Sequence, residues 1–290
     1  MFAPIRSALA EGTLIPYLGS GVLALVGADC PVPATSATLV SELTSKVSVP
    51  HKLRNNLTGA AQFIENFKHR KSVVALMQGA FAAEVQPTAL HRWIAGQKTI
   101  PLIVHAWYDD LPQRALASRT DWGMVQGVSQ AEHYGQWTHH FRRDGTKSDD
   151  LHGVANDSPV TMSAESAGWT TLLYQPFGSV SPAANFLVSD SDFVEVLTEI
   201  DIQTPIPEAV KTIRGGRHFL YLGCRFSSQL ERGFAHQITK RSSDRHWAVL
   251  PETPTRNELR FLAQHGIERI DMSLADFVAE LTSGEQAIAA

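Results

Sequence analysis

Short apolar runs rich in β-branched residues recur along the chain, separated by longer amphipathic stretches. Six of these runs predict strands: 13–18 (TLIPYL), 99–105 (TIPLIVH), 171–175 (TLLYQ), 185–188 (NFLV), 218–222 (HFLYL) and 246–250 (HWAVL). Several are continuously apolar, as strands covered on both faces of a parallel sheet are, rather than alternating. Apolar positions at helical spacing predict helices over 36–47, 60–68, 72–83, 191–200, 207–214, 227–240, 254–265 and 274–282. Ser227 and Asp192 stand where N-terminal caps are expected, and Gly266 where a helix stops. Strand–helix alternation over this length predicts a doubly wound α/β core, a mostly parallel sheet flanked by helices.

Two stretches interrupt the alternation. Residues 30–98 read as helical throughout, an insertion between the first and second strands. Residues 119–168 are polar, irregular and rich in Gly, Asp, Ser and His. A structureless insert of that length is unusual inside a compact domain, so it predicts a lid or a small module packed on the core. With no repeat and no low-complexity linker, 1–290 reads as a single domain carrying these two insertions.

Composition narrows the class. The 290 residues are 43% hydrophobic and 19% charged, enough to bury a sizeable core. No apolar run approaches the roughly 20 residues that span a bilayer, and the first residues lack the apolar core of a signal peptide. A net charge of −4 argues against a dedicated nucleic-acid binder, which carries a basic excess. The two cysteines, Cys30 and Cys224, cannot build a disulfide framework or a four-thiolate zinc site. A cytoplasmic protein is expected.

The strongest local signal is YLGSGVLALVG, residues 17–27, where an apolar strand runs into Gly19-Ser20-Gly21 and then a predicted helix. Glycines let a backbone approach a phosphate closely, and a following helix N-terminus offers unpaired N–H groups. The same pattern also serves as a plain tight turn. His133, His139, His140 and His152 lie in the irregular insert, but their spacing fits no ligand pattern and a solvated loop accounts for them. Cys224 follows a strand-end glycine, and Arg225 beside it is either a phosphate contact or a surface arginine.

Gly19-Ser20-Gly21-Val22 resembles the Gly-Ala-Gly-Val/Ile-Ser loop of the sirtuin (silent-information-regulator) superfamily, in its bacterial sirtuin-like branch more than in the protein deacylases. Three later segments are similar in the same order. Residues 104–116 (VHAWYDDLPQRAL) resemble the family's Thr-Thr-Asn-Tyr-Asp-Asp segment. Residues 172–197 resemble Lys-x-His-Gly-Ser followed by an apolar strand, and 218–234 resemble the late strand–Gly–helix. The resemblance implies a Rossmann-like domain with a smaller module, and NAD or an NAD-derived nucleotide such as ADP-ribose bound between them. The implied binding residues are Gly19, Ser20, Gly21, Val22, Trp107, Tyr108, Asp109, Phe177, Gly178, Gly223, Cys224 and Arg225. Family members transfer acyl groups from lysine to NAD, or cleave NAD at the nicotinamide–ribose bond.

Two departures bear on activity. Trp107 occupies the family's Asn position, and an indole has no acceptor. Phe177 occupies the position of the general-base His, and a phenyl ring moves no proton. The family's zinc module has no counterpart, since the insert holds no cysteine. The expectation is a nucleotide-binding protein without ordinary deacylase activity, with a sensor or regulatory role and no zinc. Two alternatives stay open. One is an NAD-cleaving hydrolase using Asp109 with His105; the other is an interaction module with a vestigial pocket, partnered by another protein or by its own copies. For His105 and Asp109 themselves, a strand-end histidine and a helix cap are the plainer reading.

Overall fold

The computed structural model describes residues 2–131, 135–148, 168–199 and 206–286, the side chains to 283. Helix α1 (Phe2–Ala10) leads into strand β1 (Leu14–Leu18) and a short 3-10 helix, Ser20–Val26. Helices α2 (Ser36–Lys46), α3 (Leu57–Lys68), α4 (Arg70–Ala80) and α5 (Ala89–Gly96) fill the predicted helical insertion. Then come β2 (Leu102–His105), α6 (Leu111–Leu116), β3 (Trp122–Gly127), β4 (Thr138–Arg142) and β5 (Thr171–Gln175). A small hairpin of β6 (Gly178–Ser179) and β7 (Asn185–Phe186) precedes α7 (Asp190–Glu199) and α8 (Glu208–Arg214). The chain ends through β8 (His218–Leu222), α9 (Gln229–Thr239), β9 (His246–Val249), α10 (Arg256–Gln264), β10 (Ile267–Ile270) and α11 (Leu274–Gln286).

The main sheet has strand order β10-β9-β8-β1-β2-β5-β3-β4. Every pairing is parallel except β3 with β4. Alternate residues of β1 feed opposite layers, because side chains in a strand alternate between faces. Ile15 and Tyr17 join Val104, Tyr174, Phe219, Tyr221, Phe234 and Phe261 on one side. Leu14 and Leu18 join Ile103, Leu173, Leu220, Val249 and Phe277 on the other. That two-sided burial is why β1 and β8 read as unbroken apolar runs. A third core sits inside the helical insertion, around Leu39, Leu43, Ile64 and Met77, and reaches Trp107 and Tyr108 of the main domain. An ion pair fastens the insertion down. Arg70 of α4 meets the buried Asp192 of α7 at 2.8 Å, and Asp192 also accepts the amides of Val188 and Ser189 and the hydroxyl of Ser129.

The irregular insert expected over 119–168 needs correction. Trp122–Gly127 is a fully buried strand between β5 and β4, and Thr138–Arg142 is the edge strand. The run WGMVQG hides its strand character because its glycines and glutamine serve tertiary contacts. A Cβ on Gly123 would lie 2.1 Å from the Trp169 ring, and one on Gly127 2.2 Å from the Pro176 carbonyl. Glycine inside a strand marks such close approaches. Gln126 bonds Gln175 at 2.7 Å within the sheet. Residues 149–167, with His152, lie outside the described residues, as does His133. The run at 185–188 contributes β7 to the small hairpin, not to the main sheet. The helix expected after Gly21 is the 3-10 helix, and α1, β10 and the start of α3 at Leu57 add to the predicted set.

Candidate functional site

The strand order reverses direction at β1, with β2 on one side and β8 on the other, which opens a crevice at the carboxyl ends of these strands. Two loops meet there. The amide of Gly19 bonds the Leu222 carbonyl and that of Gly21 the Gly223 carbonyl, both at 2.9 Å. A Cβ on Gly19 or Gly21 would come within 2.6 and 2.7 Å of the Gly223 oxygen. Gly223 has φ +64°, and a Cβ on it would lie 2.3 Å from the Val22 nitrogen. The glycines therefore allow the β1 and β8 loops to touch, and the Gly21 amide is spent on that contact. Ser20 is different: neither its amide nor its hydroxyl has a partner among the described residues.

A cavity of about 360 Å³ lies beside this contact. Its lining brings together Gly19, Ser20, Trp107, Tyr108, Phe177, Gly223, Cys224 and Arg225 from the sequence reading. Gly21, Val22, Gly178, His105 and Asp109 do not line it. The remaining lining comes from places the motifs did not mark. The first residues of α2 (Ser36) and α3 (Leu57, Thr58), with Asn55 and Asn56 before α3, form one wall. Ser227 and Ser228 before α9, with Leu230 and Glu231 in its first turn, form another. Three helix N-termini thus face one cavity. Each is capped in a way that occupies the third amide: Thr35 accepts Thr38 N, Asn56 accepts Gly59 N and Ser228 accepts Glu231 N. The first two amides of each helix have no intrahelical acceptor, and the dipoles add partial positive charge. The sequence reading puts the α9 cap at Ser227, one residue before the observed Ser228, and names no cap for α2 or α3; the Thr35–Thr38 and Ser228–Glu231 capping boxes are the signals that could have found these helix starts, but not their convergence.

Aromatic rings supply the apolar lining. Trp107 is 5% exposed and donates its indole N–H to the Pro33 carbonyl at 2.9 Å. Tyr108 donates its hydroxyl to Leu187 O at 2.8 Å. Phe177 packs edge-on against Phe193 and Phe234, with centroids 5.4 and 4.9 Å apart. The rings of Trp107 and Phe177 are therefore held by the main domain and the insertion together.

The titratable groups of the lining are few. Burial pushes the Cys224 thiol well above its ordinary value, and its Sγ lies 3.5 Å from the Tyr17 carbonyl oxygen. Such a thiol is a poor nucleophile. Burial likewise raises the phenols of Tyr17 and Tyr108. Arg225 is desolvated, but Glu258 at 3.1 Å and Glu252 hold its guanidinium firmly charged. Glu231 completes the set, its Oε2 accepting the Ser228 amide at 2.9 Å. Behind the cavity wall, His105 Nε2 and Asp109 Oδ2 are 3.2 Å apart and both buried. Asp109 Oδ1 accepts the Leu111 amide at 3.1 Å, near the start of α6. Burial alone would raise the Asp109 carboxyl, but the charge and hydrogen bond of His105 outweigh it and hold it below its ordinary value.

Among the described residues no group of three or more His, Cys, Asp or Glu side chains is placed to hold a metal ion. His139 and His140 lie on β4, and His139 meets Gln136 at 3.1 Å. No helix among the described residues is long and apolar enough to cross a membrane. A family model described as a SIR2-like domain matches residues 101–270. No curated protein matches the chain. The matched span takes in β2 to β10, with both the Trp107 turn and the β8 loop of the cavity, and exceeds half of the chain; this protein belongs to the SIR2-like domain family.

Proposed function

We propose that the cavity binds NAD or an NAD-derived nucleotide such as ADP-ribose, without deacylase turnover, in a sensor or regulatory role. The observation that carries this reading is the convergence of three helix N-termini and the unpartnered Ser20 on an aromatic-walled cavity. Amide donors and helix dipoles suit a diphosphate, and aromatic faces suit a base or nicotinamide ring. When bound, NAD supplies a ribose carbon from which nicotinamide can leave. This chain would hold the diphosphate with Ser20 and the amides of α2, α3 and α9. It would exclude water with Trp107, Tyr108 and Phe177. Among the described residues the cavity lining holds no histidine, which supports a site without the family's ribose base. The aromatic residues at the Asn and His positions support a degenerate member of the bacterial sirtuin-like branch.

The test pairs binding with turnover. NAD or ADP-ribose is expected to raise the melting temperature, since a ligand that prefers the native state stabilises it, while nicotinamide release stays at background. Robust release from unmodified protein would support the NAD-cleaving alternative. No stabilisation by either nucleotide, with no small molecule copurifying, would leave the interaction module.

A further inference from the structure

A second cavity, of about 170 Å³, opens where β3 begins and β4 ends. Thr120, Trp122, Arg142, Arg143, Asp144 and Trp169 line it. Strand β3 runs parallel to β5, β2 and β1, so this cavity lies at the opposite end of the sheet from the crevice beside β1 and β8. Strand pairing sets its walls. Gly123 stands opposite Arg142 in the β3–β4 ladder, which puts both on one face of the sheet. The space over Gly123 is filled by the outer ring atoms of Trp169, 2.1 Å from where a Cβ would stand. Trp122, one residue earlier, takes the other face, among Met124 and Phe141. The cavity wraps the end of the strand and reaches both indoles.

Trp122 is 1% exposed, and its indole N–H is buried with no hydrogen-bond partner among the described residues. An indole can only donate, and a buried donor left unpaired is costly. The charges around it are uneven. Arg143, exposed in the turn after β4, has no ion-pair partner among the described residues. Asp144 turns one oxygen toward Thr146, accepting its amide at 2.9 Å and its hydroxyl at 2.7 Å. Asp121, next to Thr120, is taken by Arg119 at 2.8 Å. Two guanidinium groups against one carboxylate leave the lining with a net positive charge.

We propose that this cavity is a second ligand site, selective for a small planar aromatic monocarboxylate. Its volume is close to the roughly 150 Å³ that holds one benzene ring. A guanidinium matches a carboxylate with paired N–H donors. The Trp122 N–H supplies a further donor, and the two indoles offer aromatic surface to the ring. A neutral aromatic leaves Arg143 without a counter-charge; inorganic phosphate leaves the indoles without a ring to pack on. The proposal is independent of the nucleotide reading.

Fluorine NMR titration of the full chain with para-fluorobenzoate tests it, with para-fluorobenzamide and inorganic phosphate as comparison probes. The benzoate is expected to bind saturably with a dissociation constant of about 1 mM or tighter, within reach of a ligand of that size. The neutral amide should bind at least about tenfold more weakly, and phosphate should displace the benzoate poorly. Arg143→Gln, in an exposed turn, should keep the melting temperature and weaken the benzoate about tenfold, the scale of one charge-assisted hydrogen bond. Trp122→Phe keeps a ring, removes the unpaired N–H, and should weaken it by a similar factor. Absence of saturable binding overturns the site. Equal affinity for benzoate and benzamide, or displacement by phosphate at equal concentration, overturns the selectivity proposed for it. Undiminished binding in both variants places the ligand elsewhere and overturns it as well.

Discussion

Gly21, Gly223, His91 and Asp109 carry the consequences that belong to single residues. Gly21→Ala drives a methyl to 2.7 Å from the Gly223 oxygen, and Gly223→Ala meets the Val22 nitrogen at 2.3 Å with an unfavourable φ as well. Both should destabilise the ligand-free protein, by about 1–3 kcal/mol for the first and more for the second. Urea unfolding without nucleotide checks this: a Gly21→Ala protein as stable as the parent would mean the two loops are not in contact. Burial lowers His91 to about 4, and its Nδ1 is held by Thr88 Oγ1 at 2.8 Å. The unfolded histidine takes a proton near pH 6.5, and the folded one resists until about 4. Stability should therefore fall as the pH drops from 6.5 toward 4, by up to about 1.4 kcal/mol per pH unit for this group. His246, also lowered by burial to about 4, adds to the same slope. His91→Gln should flatten the pH dependence in urea titrations between pH 7 and 5. Asp109 acts further down, its contribution present above the ordinary carboxylate range and lost as the pH falls through its lowered value.

At the scale of elements, the joint between the helical insertion and the sheet domain is the point of leverage. Arg70 of α4 reaches Asp192 of α7, Glu65 of α3 and the Phe186 carbonyl of β7. Its side chain is 10% exposed and that of Asp192 2%. Removing one partner strands the other charge in a poorly solvated place. Asp192→Ala is expected to cost about 3–5 kcal/mol, and the pair Arg70→Met with Asp192→Leu markedly less than the single change. Chemical denaturation of the two variants decides it, and a single change as mild as the double would argue against the joint. Because α2 and α3 line the cavity from the insertion side, hydrogen exchange in the Asp192→Ala protein should rise over α3 and α4 before it rises in β1 and β8.

For the whole molecule, the source of positive potential matters more than its amount. The net charge is −4, and among the described residues the one cation of the nucleotide cavity lining, Arg225, is already paired. Amide donors and short-range helix dipoles remain to hold an anion. Binding that does not use exposed lysines or arginines is weakly screened. NAD affinity is therefore expected to change by less than about threefold between 50 and 500 mM salt. A steep salt dependence measured by calorimetry would point instead to a cationic contact, such as Arg225 released from Glu252 and Glu258.

Local physics made much of this protein legible from its residues in order. The apolar runs at 13–18, 99–105, 171–175, 218–222 and 246–250 announce strands, found at Leu14–Leu18, Leu102–His105, Thr171–Gln175, His218–Leu222 and His246–Val249, and the alternation with helices announces a parallel sheet. Of the residues that line the nucleotide cavity, Gly19 and Ser20 stand out through the strand–glycine pattern, and Trp107, Phe177, Gly223 and Arg225 through the resemblance to the sirtuin superfamily. What the order of residues could not settle was whatever depends on distant partners. Strand β3 is a strand because β4 and β5 pair with it, despite two glycines that propensity counts against it. Gly21 looks like a phosphate-cradling residue until the β8 loop, some 200 residues away, is seen to occupy its amide. Ser36, Asn56 and Glu231 became cavity residues only when three separately capped helices were brought to one place. Capping and periodicity are short-range properties and can be read along the chain; convergence is a property of packing, and only the folded chain decides it.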